Sequence, residues 1–357
     1  VAEPPVAVVG AGLMGSGIAA CFAAAGHEVA VHDPVAESLA AAPERVATSL
    51  RAMGVGADDG AADGSEANPA LAAALTRVRY EARPQDALAG AGFVFEAAPE
   101  NLTLKQEIFA RLDAIAAPGC ILASNSSAMR PTEIAARVEH PGRTVGTHWW
   151  NPPHLVPLVE VVRGERTSDE TVERTFDLLA AVGKVPVRVE LDKPGFVGNR
   201  LQHALWREAF QLVDEGVCDA ETIDLVVKNG FGPRLAALGP MENADLVGLE
   251  LTLSIHDYLL PRLTPPSEPS AGLRERIAAG RTGMEAGEGW RRWPEGSRDQ
   301  VQAEVSRHLR ESAAKRAAEI ADRDATGHRA PRSAGDGDAA DGHGDDAGRA
   351  AADPDER

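Results

Sequence analysis

A chain of 357 residues with 44% hydrophobic but only 4% aromatic content can bury a sizeable core and has room for two domains and a remainder. A formal net charge of −18, without any Lys/Arg cluster interleaved with aromatics, argues against nucleic-acid partners and anionic membrane surfaces, and no apolar run approaches a bilayer-spanning length. No signal-peptide pattern precedes the first strand, and Cys21, Cys120 and Cys218 stand too far apart for a disulfide framework or zinc site, so a cytoplasmic protein without a metal is expected.

Val6-Ala7-Val8-Val9 reads as a short buried strand that runs straight into Gly10-Ala11-Gly12-Leu13-Met14-Gly15, followed by an Ala-rich helical stretch that stops at Gly26. A G-x-G-x-x-G at a strand-to-helix turn is the context in which glycines cradle a dinucleotide. Gly10 permits the turn, Gly12 admits the pyrophosphate against backbone, and Gly15 lets helix and strand approach closely. The helix start then offers free N–H groups and partial positive charge to phosphates. A second strand, Glu28 to Val31, leads to Asp33, which lies 23 residues beyond Gly10, where an acid is placed to accept from ribose hydroxyls. Asp33 would repel a 2′-phosphate and no Arg adjoins it, so NAD is predicted over NADP, with Gly10, Gly12, Leu13, Met14, Gly15 and Asp33 in contact with it.

The second helical stretch ends near Met53 and gives way to a flexible acidic interruption, Gly54 to Gly64. Phe93 to Ala98 is a further strand leading to Glu100-Asn101-Leu102-Thr103-Leu104-Lys105 at a helix start. Cys120 to Ala123 is a strand ending in Ser124-Asn125-Ser126-Ser127, and Val145 to His148 and Val156 to Val162 are two more. Polar residues just past strand C-termini line the ligand crevice of open parallel sheets, and Glu100, Ser127 and His148 occupy such places. His148 within Gly146-Thr147-His148-Trp149-Trp150-Asn151-Pro152, and Glu160 within the apolar Leu158 to Val162, form a candidate acid–base couple. A histidine that takes a hydroxyl proton needs its other ring nitrogen held, which a carboxylate does while stabilising the imidazolium. After Asp192-Lys193-Pro194-Gly195, helical spacing dominates: Leu201, Leu205, Glu208, Ala209, Leu212 and Val213, then Ala220 to Lys228 and Val247 to Leu260. From Pro331 to Arg357 eight Asp/Glu face three Arg, with no apolar residue larger than Ala, so a disordered tail is expected there.

Together these pieces resemble the L-3-hydroxyacyl-CoA dehydrogenase family from position 5 to about 293. The likeness rests on the glycine turn, Glu100-Asn101-Leu102 with Lys105, Ser124 to Ser127, His148 to Pro152, Leu158 to Val162, Lys193 to Arg200 and Gly239-Pro240. It implies an α/β Rossmann-like NAD-binding domain over 1–191, an all-α substrate and dimerisation domain over 192–324, and an acidic tail over 325–357. It implies His148 as base, Glu160 as its partner, and Ser127 with Asn199 holding the reacting oxygen and a neighbouring carbonyl. Glu100, Lys105, Ser127 and Asn151 join the implied NAD contacts, and a homodimer through the helical domain follows. The reaction implied is NAD-dependent oxidation of a 3-hydroxyacyl substrate, as in fatty acid metabolism.

The pattern also departs from the family. Gly56 to Glu66 carries Asp58, Asp59, Asp63 and Glu66 without Lys or Arg, where relatives that take CoA tend to present basic residues to its phosphates. Asn151 to Pro157, Asn199 to Gln202 and Gly230 to Ala236 resemble the branch containing lambda-crystallin and L-gulonate 3-dehydrogenase, which oxidises small hydroxy acids without CoA. A free 3-hydroxy acid is therefore the alternative substrate, with Arg234 as a candidate carboxylate clamp. Glu285 stands in a glycine-rich loop where many relatives have lysine. A redox-silent NAD-binding structural protein is a third reading, opposed by the complete set of Ser127, His148, Glu160 and Asn199.

Overall fold

The computed structural model describes residues 4–56, 69–264 and 268–326. The acidic stretch from 57 to 66 lies outside them, as does the expected tail from 327 onward; its first two positions, 325 and 326, instead end the last helix. In chain order the first part runs β1 (Val6–Val9), α1 (Leu13–Ala24), β2 (Val29–His32), α2 (Ala36–Ala52), α3 (Pro69–Thr76), β3 (Val78–Glu81), α4 (Pro84–Leu88), β4 (Phe93–Glu96), α5 (Leu102–Ile115), β5 (Ile121–Ser124), α6 (Pro131–Ile134), β6 (Thr144–Trp149), β7 (Leu158–Val162), α7 (Asp169–Ala181) and β8 (Val185–Val189). Helices follow: α8 (Gly198–Asp214), α9 (Ala220–Asn229), α10 (Pro240–Val247), α11 (Leu249–Leu259), α12 (Ala271–Ala278) and α13 (Ser297–Thr326). Val1–Ala313 forms one compact unit, which holds everything discussed below, and Ala314–Arg357 a second, described only through the end of α13.

The eight strands form one sheet in the order β3-β2-β1-β4-β5-β6-β7-β8. Pairing is parallel throughout except between β6 and β7. The central strands are buried at every position, as a sheet covered by helices on both faces requires. Alternation along β1 sends Val6 and Val8 into one core with Phe22, Phe95 and Trp149, and Ala7 and Val9 into the other with Phe109, Leu112 and Leu122. Because β1 pairs with β2 on one side and β4 on the other, the winding reverses beside it and opens a crevice at the strand C-termini. This is a Rossmann-like α/β domain followed by an all-α domain, as expected.

Two strands are additional to those read from the sequence. β3, Val-Arg-Tyr-Glu, buries only Val78, and β8 exposes most of its residues and contains Pro186. Both lie at sheet edges, where half-solvated strands and proline are tolerated. The helical part has a different character: α8 to α11 bury no residue within the chain, although they carry Leu201, Leu225, Leu246, Leu249 and Leu253.

Candidate active site

The glycine turn and Asp33 form one wall of a cleft of about 840 Å³. Gly10 adopts φ +106°, and a Cβ there would lie 2.7 Å from the Ala97 carbonyl oxygen; a Cβ on Gly15 would collide with the Gly10 carbonyl. A Cβ on Gly12 would meet nothing within 4 Å. Gly10 and Gly15 are thus required by the chain's own packing, whereas Gly12 keeps space open at the start of α1, where a pyrophosphate would approach. Asp33 accepts from the Ala11 N–H at 2.7 Å and the Val35 N–H at 2.8 Å, which fixes both the loop and the carboxylate. Leu13, Met14, Glu100 and Ser127 also border the cleft.

Gly15, Lys105 and Asn151, expected at the cofactor, do not border it. Gly15 is a packing glycine, and Asn151 is exposed just beyond β6 at a cis bond to Pro152. Lys105 is only 1% exposed, and its ammonium donates to Glu96 at 2.7 Å and the Ala98 carbonyl at 3.1 Å. Its third neighbour is Glu100 at 3.7 Å. Lys105 therefore supports the cleft wall from beneath. Glu96, itself fully buried, also accepts from Ser124 Oγ and the Ala98 N–H, so one buried carboxylate ties the ends of β4, β5 and α5 together. Glu100 in turn accepts from Ser126 Oγ and the Ser127 N–H.

His148 and Glu160 face each other directly across the antiparallel β6–β7 pair, which is how twelve residues of separation become side-chain contact. His148 Nδ1 lies 2.7 Å from Glu160 Oε2, with the two side chains 4% and 1% exposed. The other carboxylate oxygen accepts from the N–H groups of Val197 at 2.9 Å and Gly198 at 3.0 Å, at the start of α8. Burial alone would raise the Glu160 carboxyl's pKa; the bonds from His148, Gly198 and Val197 outweigh it and hold the value below the ordinary carboxylate range. An ionised acceptor on Nδ1 places the ring proton there and leaves Nε2 with its lone pair. Trp150 and Phe196 pack on the ring, with centroids at 5.1 and 5.9 Å.

Asn199 Nδ2 donates to the Ser127 carbonyl at 2.8 Å, bringing the first turn of α8 onto the loop after β5, while the Ser127 hydroxyl has no protein partner among the described residues. Sequence reasoning did not find Glu96, Trp150 or the paired N–H groups of Val197 and Gly198. For Gly198 the sequence signal is a glycine immediately before Asn199; the structure supplies its reason, since a Cβ there would collide with the Trp150 indole.

Residues 5–192 match the family description "3-hydroxyacyl-CoA dehydrogenase, NAD binding domain", and residues 195–293 match "3-hydroxyacyl-CoA dehydrogenase, C-terminal domain". The chain belongs to the 3-hydroxyacyl-CoA dehydrogenase family. It is an NAD-dependent oxidoreductase, and its cleft suits that cofactor: an open glycine at a helix start and a fixed carboxylate at the end of β2. Among its relatives, 5-formyl-3-hydroxy-2-methylpyridine 4-carboxylate 5-dehydrogenase of Mesorhizobium japonicum is 36% identical over 85% of this chain and 95% of that one. L-carnitine dehydrogenase of Nocardiopsis dassonvillei is 37% identical over 79% and 84% of the two chains. Lambda-crystallin of Oryctolagus cuniculus is 36% identical over 68% and 74%, in keeping with the branch likeness read from local motifs. Among solved structures, a 5-formyl-3-hydroxy-2-methylpyridine 4-carboxylic acid 5-dehydrogenase superposes with TM-score 0.77 at 33% identity, over 87% of this chain and 97% of that one. The (S)-3-hydroxybutyryl-CoA dehydrogenase of Ralstonia eutropha gives 0.66 at 32%, over 82% and 100%.

The structure also locates Glu285, the departure in the glycine-rich loop, and Arg234, the candidate clamp. Glu285, in a short 3-10 turn, is ion-paired with Arg298. Arg234 ends the 3-10 turn after α9, exposed and with no side-chain partner among the described residues.

Proposed function

We propose that the enzyme oxidises a secondary alcohol β to a carboxyl group, with His148 as the base, Glu160 as its partner, and Ser127 and Asn199 as the groups that orient the reacting oxygen. The supporting observation is the buried His148–Glu160 bond, made on the nitrogen that is not needed for the proton transfer. His148 Nε2 accepts the hydroxyl proton, and Glu160 stabilises the imidazolium that results. The Ser127 hydroxyl and the Asn199 amide hold the oxygen and its neighbouring carbonyl, and acid–base assistance of this type contributes about 10²–10⁴-fold. Bound NAD supplies the hydride acceptor. Gly10, Gly12, Leu13, Met14, Asp33, Glu100 and Ser127 would hold the dinucleotide, with Gly15 and Lys105 shaping the wall; Asn151, expected as a further contact, lies outside that lining.

The substrate we favour is a small free hydroxy acid, with a 3-hydroxyacyl-CoA thioester as the second reading. The higher TM-score to an enzyme named for a pyridine carboxylate supports the first, and the family description supports the second. Arg234 is the candidate carboxylate clamp in the first case. NADH formation at about 340 nm on free 3-hydroxybutyrate, L-gulonate, L-carnitine and 3-hydroxybutyryl-CoA separates the two. Turnover of the thioester alone rejects the small-acid reading, and turnover of none rejects the activity.

A homodimer through residues 192–324 belongs to the same proposal, with 1–191 carrying the cofactor. Helices α8 to α11 bury nothing within the chain, and Leu249, Leu253 and Tyr258 on α11 are each more than 60% exposed. An apolar face of that extent suits a partner copy, since a stable interface covers about 800 Å² per partner. A role in fatty acid metabolism goes with the thioester reading only, and a cytoplasmic site is part of either; among the described residues no helix is long and apolar enough to cross a membrane.

A further inference from the structure

The loop after β5 and the segment that enters α8 are joined by successive ties. Asn199 Nδ2 donates to the Ser127 carbonyl, the Gly195 N–H to the Ala128 carbonyl at 3.1 Å, and the Thr132 N–H to Asp192 Oδ2 at 3.0 Å. Arg130 completes the seam: its Nε reaches the Asp192 carbonyl at 2.9 Å and Oδ1 at 3.3 Å, and its terminal nitrogen reaches Oδ1 at 3.2 Å. The Asp192 side chain is 6% exposed and that of Arg130 30%, so the carboxylate end of this pair is shielded from solvent while the guanidinium is partly open; its contact with Glu165, 67% exposed, is screened. Glu133 is the remaining charge near Arg130.

Between Asp192 and Gly198 the backbone turns through two consecutive left-handed residues, Gly195 at φ +76° and Phe196 at φ +47°. A bulky side chain in that region costs about 1–3 kcal/mol and persists only where its surroundings over-determine it. Phe196 is 3% exposed against the His148 ring, and the next two N–H groups are those on Glu160. Asp192 anchors one end of this strained segment and Glu160 the other. With the Asp192 end released, the Gly195–Ala128 and Asn199–Ser127 bonds would be the remaining ties holding this strained turn to the loop after β5.

We infer that Arg130 and Asp192 are positioning residues for the proton and hydride step: their ion pair, with the Asp192–Thr132 bond, holds the segment bearing Asn199 and the two N–H groups on Glu160 in register with the loop bearing Ser127. The inference rests on the dehydrogenase reading above. Neither side chain touches the dinucleotide cleft, so the effect is on alignment and not on cofactor binding.

The test uses the full chain with Arg130→Met, Arg130→Lys and Asp192→Asn. Four quantities are followed: NADH affinity by fluorescence, reduction by NADH deuterated at C4 of the 3-keto form of whichever panel substrate turns over, hydrogen exchange of a peptide spanning 193–199, and the thermal midpoint. A misplacement of about 1 Å can cost on the order of 10² in rate, so partial release should lower kcat about tenfold. The expected pattern is that loss with unchanged NADH affinity, a larger isotope effect, faster exchange in the 193–199 peptide, and partial recovery in Arg130→Lys. A parallel fall in kcat, NADH affinity and thermal midpoint with an unchanged isotope effect would mark a purely structural pair and overturn the inference, as would unaltered kcat. If the wild type turns over nothing in the panel, the dehydrogenase reading fails on its own. The exchange experiment still decides the seam, and unchanged exchange in both Arg130→Met and Asp192→Asn refutes it.

Discussion

Glu160→Gln isolates the charge of the carboxylate from its shape. The wild-type side chain receives three donors, His148 Nδ1 on one oxygen and the N–H groups of Val197 and Gly198 on the other, at 2.7, 2.9 and 3.0 Å. A glutamine offers one acceptor oxygen and one amide donor. If the oxygen stays with the two backbone N–H groups, the NH₂ faces Nδ1, which must become an acceptor and moves the ring proton to Nε2, the nitrogen that has to take the substrate proton. If the amide flips, its NH₂ points at two N–H groups and leaves them unsatisfied at about 1–3 kcal/mol. Either way the imidazolium loses its counter-charge. We expect kcat to fall by about 10²–10⁴-fold, or roughly 3–5 kcal/mol at about 1.4 kcal/mol per decade. Glu160 does not border the dinucleotide cleft, so the NADH dissociation constant should stay within about twofold. Stability carries a sign as well. The folded carboxyl lies below its ordinary value, so its stabilising contribution is present above about pH 4.3 and is lost as pH falls through the folded value. The gap in thermal midpoint between wild type and variant should therefore narrow on acidification. Steady-state kinetics, fluorescence titration and thermal melts between neutral pH and about pH 3.5 provide the measurements. A variant within about threefold of wild-type kcat would refute the assignment of Glu160 and with it the proposed role of His148.

Asp33→Ala removes the acceptor of the Ala11 N–H as well as a ribose partner, so NAD affinity should drop at least about tenfold while discrimination against NADP narrows, by titration with both. Lys105→Met leaves the fully buried Glu96 without its cation, and should cost about 3–5 kcal/mol in chemical denaturation. Adding Glu96→Gln should restore part of it, and an additive double variant would show that the two groups are not coupled. Leu249→Asp with Leu253→Asp places two charges on the exposed face of α11 and should convert a dimer to monomer in sedimentation; an unchanged mass would place the contact elsewhere.

The parts of the fold legible in the sequence were those in which a local pattern and its tertiary use coincide. The run of Val6 to Val9 into three glycines already specifies a strand, a tight turn and a buried helix, because each is dictated by residues within a few positions. The His148–Glu160 couple was legible because Glu160 breaks an otherwise apolar strand and His148 stands near the end of another, though their cross-strand register was not. Other features are nonlocal. Lys105 carries no mark in sequence that its ammonium faces inward, since a helical lysine is ordinarily solvated; only the fully buried Glu96, nine positions earlier on another element, draws it in. β3 and β8 escaped notice because edge strands need neither continuous hydrophobicity nor every backbone donor, and Pro186 in β8 argues locally against a strand. Arg130 and Asp192 are separated by 62 positions, and nothing about either suggests the other.

The two-handed grip of Glu160 has a consequence for any attempt to divide or recombine the molecule. A fragment ending after β8 would retain the glycine turn, Asp33 and both members of the couple, and could still capture a dinucleotide. One carboxylate oxygen would nevertheless exchange its two amide donors for water, and the imidazole would lose a carboxylate held in fixed orientation. Chimaeras that graft a foreign helical half onto this sheet would therefore have to preserve the backbone of its opening turn together with Gly198 and Asn199, whatever other side chains are exchanged for specificity.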